Sequence, residues 1–123
     1  VMIKLNELAQ YTGSEHFYLY NGNLVLTDGI RYLMDNGCAW LIDIIVSVRG
    51  LPAIQAEDFE AWTLTVDLET HTAKVIATDG DKGDGAVTLY RQNIEYTDCP
   101  VKELKLYVSR EGHRKTIMLN SEY

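Results

Sequence analysis

Ala61-Trp62-Thr63-Leu64-Thr65-Val66-Asp67-Leu68 alternates large apolar side chains with small polar or charged ones. A strand sends successive side chains to opposite faces, so a period of two predicts a half-buried β-strand. Toward the C-terminus the pattern repeats. Glu69 to Thr72 reads as a turn, and Ala73 to Thr78 as a second strand. After the loop Asp79-Gly80-Asp81-Lys82-Gly83-Asp84-Gly85, a third strand runs from about Ala86 to Tyr96. Asp98-Cys99-Pro100 breaks the chain. Leu104, Leu106 and Val108 alternate with Lys105 and Tyr107 in a fourth strand, Glu111-Gly112-His113 turns it, and Thr116 to Leu119 forms a fifth. Short strands with short connections imply an antiparallel meander.

Toward the N-terminus the period lengthens. Ile3 to Tyr11 reads as a short helix with Leu5, Leu8 and Ala9 on one face, ended by Gly13. Phe17 to Tyr20 and Leu24 to Leu26 flank Asn21-Gly22-Asn23, a pair of short runs around a tight turn. Thr27 or Asp28 can cap a helix carrying Ile30, Leu33 and Met34, which Asn36-Gly37 can close. Cys38 to Arg49 is nearly all apolar, compatible with a buried helix or a central strand. Asp43 and Ser47, four apart, form a polar stripe that favours the helix, and Gly50 with Pro52 makes a stop. On that buried helix Asp43 would need a hydrogen bond or a cation such as Arg31 or Arg49. The expected fold is α+β: N-terminal helices packed on an antiparallel sheet of about five strands, one domain over residues 1–123.

Composition narrows the function classes. The 123 residues carry a formal charge of −7, with 46% hydrophobic and 24% charged residues, ordinary for a globular domain and unlike disordered or collagenous chains. The two cysteines, Cys38 and Cys99, are too few for a stapled secreted fold and read as buried free thiols. Neither a signal peptide nor a membrane span is visible, so a cytoplasmic protein is expected. From Glu57 to Asp84 eight acids face Lys74 and Lys82, a net of −6. From Lys102 to Lys115 five bases face two acids, a net of +3. An acidic domain is repelled by phosphate at long range, which argues against direct nucleic-acid binding.

Motifs for chemistry are sparse. Asp79, Asp81 and Asp84 could offer oxygens to a weakly held cation, but the twelfth position from Asp79 is Tyr90, where a calcium loop needs a bidentate Glu. The same Asp/Gly pairs are ordinary turn formers. His16, His71, His113 and the two cysteines lack the close pairing of a zinc site. No phosphate loop, dinucleotide fingerprint or nucleophile elbow occurs. No catalytic residue, metal ligand or cofactor is therefore assigned. Eight tyrosines against two phenylalanines suit core rims or recognition surfaces. Tyr18 and Tyr20, beside Asn21 and Asn23, are the expected contact edge.

Six blocks carry a resemblance to a family. They are Leu5-Asn6-Glu7-Leu8-Ala9-Gln10-Tyr11-Thr12-Gly13-Ser14-Glu15-His16-Phe17-Tyr18, Thr27-Asp28-Gly29-Ile30-Arg31-Tyr32-Leu33, Ala39-Trp40-Leu41-Ile42-Asp43, Tyr96-Thr97-Asp98-Cys99-Pro100, Leu104-Lys105-Leu106-Tyr107 and Ser121-Glu122-Tyr123. In this order they are similar to domain-of-unknown-function family 6876. Cys99 departs from it, standing where an aromatic is expected, as does the short stretch between Tyr20 and Leu24. The resemblance implies one intact domain in a bacterial or phage setting and brings no catalytic residues.

The expected function is that of a non-enzymatic acidic binding protein occupying a host protein with a basic surface. An inhibitor of a defence complex, such as an anti-CRISPR protein, is its concrete form. Glu57, Asp58, Glu60, Asp79, Asp81 and Asp84 would imitate nucleic-acid phosphates. The alternative is a binder of a signalling nucleotide, with a pocket between helices and sheet lined by Tyr and Trp and using Arg31 or Arg91 for phosphate.

Overall fold

The computed structural model describes residues 3–13, 16–80 and 85–123. Its centre is the predicted alternating segment, strand β3 (Phe59–Asp67), flanked by β4 (Thr72–Thr78) and β6 (Glu103–Glu111). In antiparallel register Trp62 lies between Ala77 and Leu106, and Leu64 between Val75 and Leu104. These small and branched partners are buried together on one face, which is why the alternation is so regular. β5 (Thr88–Ile94) closes one edge against β4, and β7 (Arg114–Leu119) continues the sheet beyond β6.

The sheet is larger than expected and not wholly antiparallel. The N-terminal runs form β1 (Phe17–Asn21) and β2 (Leu24–Thr27), an antiparallel hairpin that joins the sheet by parallel pairing of β2 with β7. The order is β1-β2-β7-β6-β3-β4-β5, seven strands in a mixed sheet where about five antiparallel ones were expected. All four residues of β2 are buried, those on the helix side by the core and those on the other side by neighbouring strands. A local pattern shows that a hairpin exists but not which edge it will extend.

The helices are short. α1 covers only Leu5–Leu8 of the expected Ile3–Tyr11. Thr27 caps α2 (Asp28–Leu33), its hydroxyl accepting from Ile30 N at 3.5 Å. A kink over Met34–Cys38, with Asn36 and Gly37 outside helical geometry and Gly37 at φ 95°, turns the chain into α3 (Ala39–Ser47). Asn36 donates to Tyr32 O at 2.7 Å on the same kink. The apolar run after Cys38 is thus helix, its Leu41, Ile42 and Ile45 fully inside. Asp43 lies on the solvent side of α3, so the partner expected for it is unnecessary. α4 (Pro52–Gln55) begins at the proline predicted to stop α3.

The helices cover one face of the sheet. Ile30, Leu33, Ile45 and Ile54 from the helices meet Leu26, Trp62, Leu64, Val75, Leu106, Val108 and Ile117 in one apolar cluster. Val25 and Met118 are buried too, yet stand outside that cluster. Register puts them on the other face with Phe17, Leu19, Thr116 and Tyr107. Among the described residues no helix is long and apolar enough to cross a membrane.

Candidate functional site

The acidic and basic segments of the sequence meet at one end of the sheet, where β3 begins, β6 ends and β7 starts. Glu60, the second residue of β3, points inward and is fully buried. Arg49, just past α3, donates Nη1 to Glu60 Oε2 at 2.9 Å and Nη2 to Oε1 at 2.5 Å, while its Nε caps Ile45 O at 2.9 Å. Lys115 Nζ reaches Glu60 Oε2 at 2.8 Å and Ile54 O at 2.9 Å. Trp62 Nε1 adds a fourth donor to the carboxylate at 3.0 Å. Burial by itself would push the Glu60 carboxyl up. The hydrogen bonds and charge of Arg49, with Lys115 and Trp62, outweigh it and hold the group below its ordinary value.

Arg110 stands beside this knot. Its Nη2 donates to Gln55 O at 2.8 Å, and its buried Nε lies 2.9 Å from Asp58 Oδ1 without hydrogen-bond geometry. Around Arg49, Arg110, Lys115 and His113 opens a basin of about 390 Å³, whose wall includes Asn23 and Gln55. Sequence reading missed this site. The available signal was an arginine closing an apolar helix and a single acid, Glu60, one step before the alternating strand.

The acidic set therefore does not form one outer array. Glu60 is a correction: it belongs to the interior because β3 starts at Phe59, two residues earlier than expected, and its alternation puts Glu60 in phase with Trp62. Asp79 is 8% exposed, and its Oδ1 accepts from Val87 N at 3.0 Å, tying the base of the loop. Asp81 and Asp84 lie outside the described residues. Glu57 is half-buried, and Asp58, its side chain 87% exposed, is met by Arg110. Neutralisation by the basic segment, invisible along the chain, is what the fold adds.

Tyr18 and Tyr20 sit on β1, an edge strand. The register shifts between Leu19 and Asn21, which leaves Tyr20 in a bulge without a partner of its own on β2. Tyr18 leans toward α2, donating to Asp28 Oδ1 at 2.9 Å, with the Arg31 guanidinium 4.5 Å from its ring centre. The nearby hollow, about 330 Å³, is the tyrosine-lined place where Arg31 was expected to hold phosphate. It also contains Asp28 and Asp35, and Arg31 faces the Tyr18 ring. Arg91 is on β5, at the far edge of the sheet.

The more exposed residues of β1 are Phe17 at 62% and Leu19 at 60%. Phe17 borders a hollow of about 440 Å³ on the open sheet face, floored by Val25 and Met118. At its other rim Tyr123, 73% exposed, packs edge-on against Phe59 and Tyr107, with ring centres 5.4 and 5.3 Å apart. Among the described residues no three His, Cys, Asp or Glu side chains converge to hold a metal.

The model of a family of unknown function, DUF6876, matches residues 2–123. No curated protein and no solved structure matches the chain.

Proposed function

This chain belongs to the DUF6876 family, and from that premise we propose that it is a non-enzymatic binding protein that seats a partner protein on β1 and the open sheet face. The exposed Phe17, Leu19 and Tyr123 on this face, beside a hollow floored by the buried Val25 and Met118 and walled in part by Glu111 and Arg114, carry the reading. Single apolar residues on a surface need no explanation, but exposed aromatic rings beside a hollow with polar walls fit a contact site. β1 also offers an unpaired strand edge beside it. The net charge of −7 favours a partner whose own apolar patch is rimmed by bases.

The narrower form, carboxylates standing in for nucleic-acid phosphate in a defence complex, draws less support. Among the described residues only Glu57 and Asp58 of its acidic set reach the surface. The test is capture of a cellular partner by wild type, by Phe17→Ser/Leu19→Ser and by Glu57→Gln/Asp58→Asn. The reading expects stoichiometric capture by wild type, loss in the apolar variant and retention in the amide variant. Undiminished capture by the apolar variant refutes it.

A further inference from the structure

We propose that the basin framed by Arg49, Arg110, Lys115 and His113 is a binding site for a phosphate group, free or carried by a small metabolite. It lies on the helix side of the sheet, since Leu24, Arg110 and Lys115 share that face by register. The inference therefore does not rest on the docking surface of the opposite face.

Cross-strand neighbours of like charge destabilise a sheet, yet Arg110 and Lys115 are direct partners on β6 and β7. Arg49 adds a third cation. Against these three stand two carboxylates, Glu60 and Asp58, so the cluster keeps one positive charge in an acidic protein. A structural ion pair needs one cation per carboxylate. The surplus is what an anion site requires.

The donor geometry points the same way. A guanidinium has five N–H groups, and Arg49 uses three of them, on Ile45 O and the two Glu60 oxygens. An ammonium has three, and Lys115 uses two. The Nη1 group of Arg110 has no hydrogen-bond partner among the described residues. Glu60 has both oxygens saturated and is sealed from the basin, so it fixes the cations rather than competing for them. The side chains of Arg49 and Lys115 are only 21% and 12% exposed, already ordered before any ligand arrives. Preorganised donors lose little rotamer freedom on binding, and forked guanidinium donors match a pair of oxygens on one edge of a tetrahedral phosphate.

The basin also limits what the phosphate can carry. At about 390 Å³ it is at the small end of ligand pockets, roughly 300–1,000 Å³. No Phe, Tyr or Trp ring lines it, so a nucleobase has only the His113 imidazole to stack on. The amides of Asn23 and Gln55 suit hydroxyls of a small polar body instead.

Titration calorimetry at constant ionic strength with inorganic phosphate, pyrophosphate, glycerol phosphate and adenosine monophosphate tests this, with sulfate as the reference anion. Saturable heats for phosphate compounds, well above those for sulfate, are expected. Arg110→Gln should weaken them by about tenfold or more, the loss of one charged hydrogen-bond donor. His113→Glu, on an exposed turn that leaves the core alone, should do the same. Arg91→Gln should change nothing. Glycerol phosphate binding more tightly than inorganic phosphate identifies a small phosphorylated metabolite. Equal affinities identify phosphate itself. The proposal is overturned by equal heats for sulfate and phosphate, by no saturable heat at millimolar ligand, or by unchanged binding in His113→Glu.

Discussion

Glu60 and Arg49 are joined by two roughly parallel hydrogen bonds, 2.5 and 2.9 Å long, between the end of α3 and the start of β3. With Lys115 they tie the helix layer to β3 and β7, the two strands on either side of β6. Removing one member leaves charges buried without their partner, which costs about 3–5 kcal/mol. Glu60→Gln should lower unfolding free energy by an amount in that range, read from urea titration. A loss no greater than that of an exposed substitution would show that the knot is solvated.

Acid should find the same weak point. The folded-state pKa of Glu60 lies below its unfolded value, so its stabilisation is fully present above the unfolded value, near the usual carboxylate range. It is lost as pH falls through the folded value, because the proton then binds more readily to the unfolded chain. Stability measured by urea titration should decline on acidification in wild type, and less steeply in Glu60→Gln. Asp67, held low by the backbone N–H groups of Glu69 and Thr70, contributes in the same direction and remains in that variant.

Gly29 should not accept a side chain. A Cβ there would fall on Glu122 Oε1 and lie 2.6 Å from Leu119 Cδ1. Glu122 accepts from Thr27 Oγ1, Gly29 N and Leu119 N at 2.7, 3.1 and 3.0 Å, so it closes the start of α2 against the end of β7. Gly29→Ala should cost about 1–3 kcal/mol, the usual penalty for overpacking. Glu122→Gln should recover little of it. A neutral Gly29→Ala in thermal unfolding would mean that this junction yields freely.

The thiols should titrate as a pair. Cys99 accepts from the Cys38 thiol, which lowers its pKa; burial opposes this and the Val101 N–H assists, leaving it below the ordinary thiol value. Cys38 is pushed up by donating to Cys99 and by burial. Cys38→Ala should therefore raise the Cys99 pKa, seen as a shift of the thiolate ultraviolet absorbance to higher pH. An unmoved titration curve would deny the thiol contact.

The central strands were legible because Trp62, Leu64 and Val66 alternate in step with their pairing partners, and local period is what a sequence displays. The α3 helix was legible from Asp43 and Ser47, although Asp43 is solvated and not paired inside. The phosphate basin was not. Arg49, Glu60 and Lys115 come from three elements, and only long-range register brings them together. Glu60 was read with its acidic neighbours because charge along the chain carries no sign of facing. Phe17 and Leu19 show the converse: apolar residues in a strand suggest core, and their place on the uncovered face of an edge strand leaves them exposed.

The parallel contact of Leu24–Leu26 with Lys115–Ile117 imposes an order of events. A β2 strand buried on both faces waits for a partner made near the far end of the chain; Thr27 and Glu122, which bond across that seam, are 95 positions apart. Such long-range closure slows folding. During synthesis the N-terminal hairpin emerges first and must persist with Leu24, Val25 and Leu26 unsheltered until the ribosome has delivered β7. Translation speed over the last strands, or a chaperone that covers the hairpin in the interval, will therefore govern how much of this protein reaches its native state.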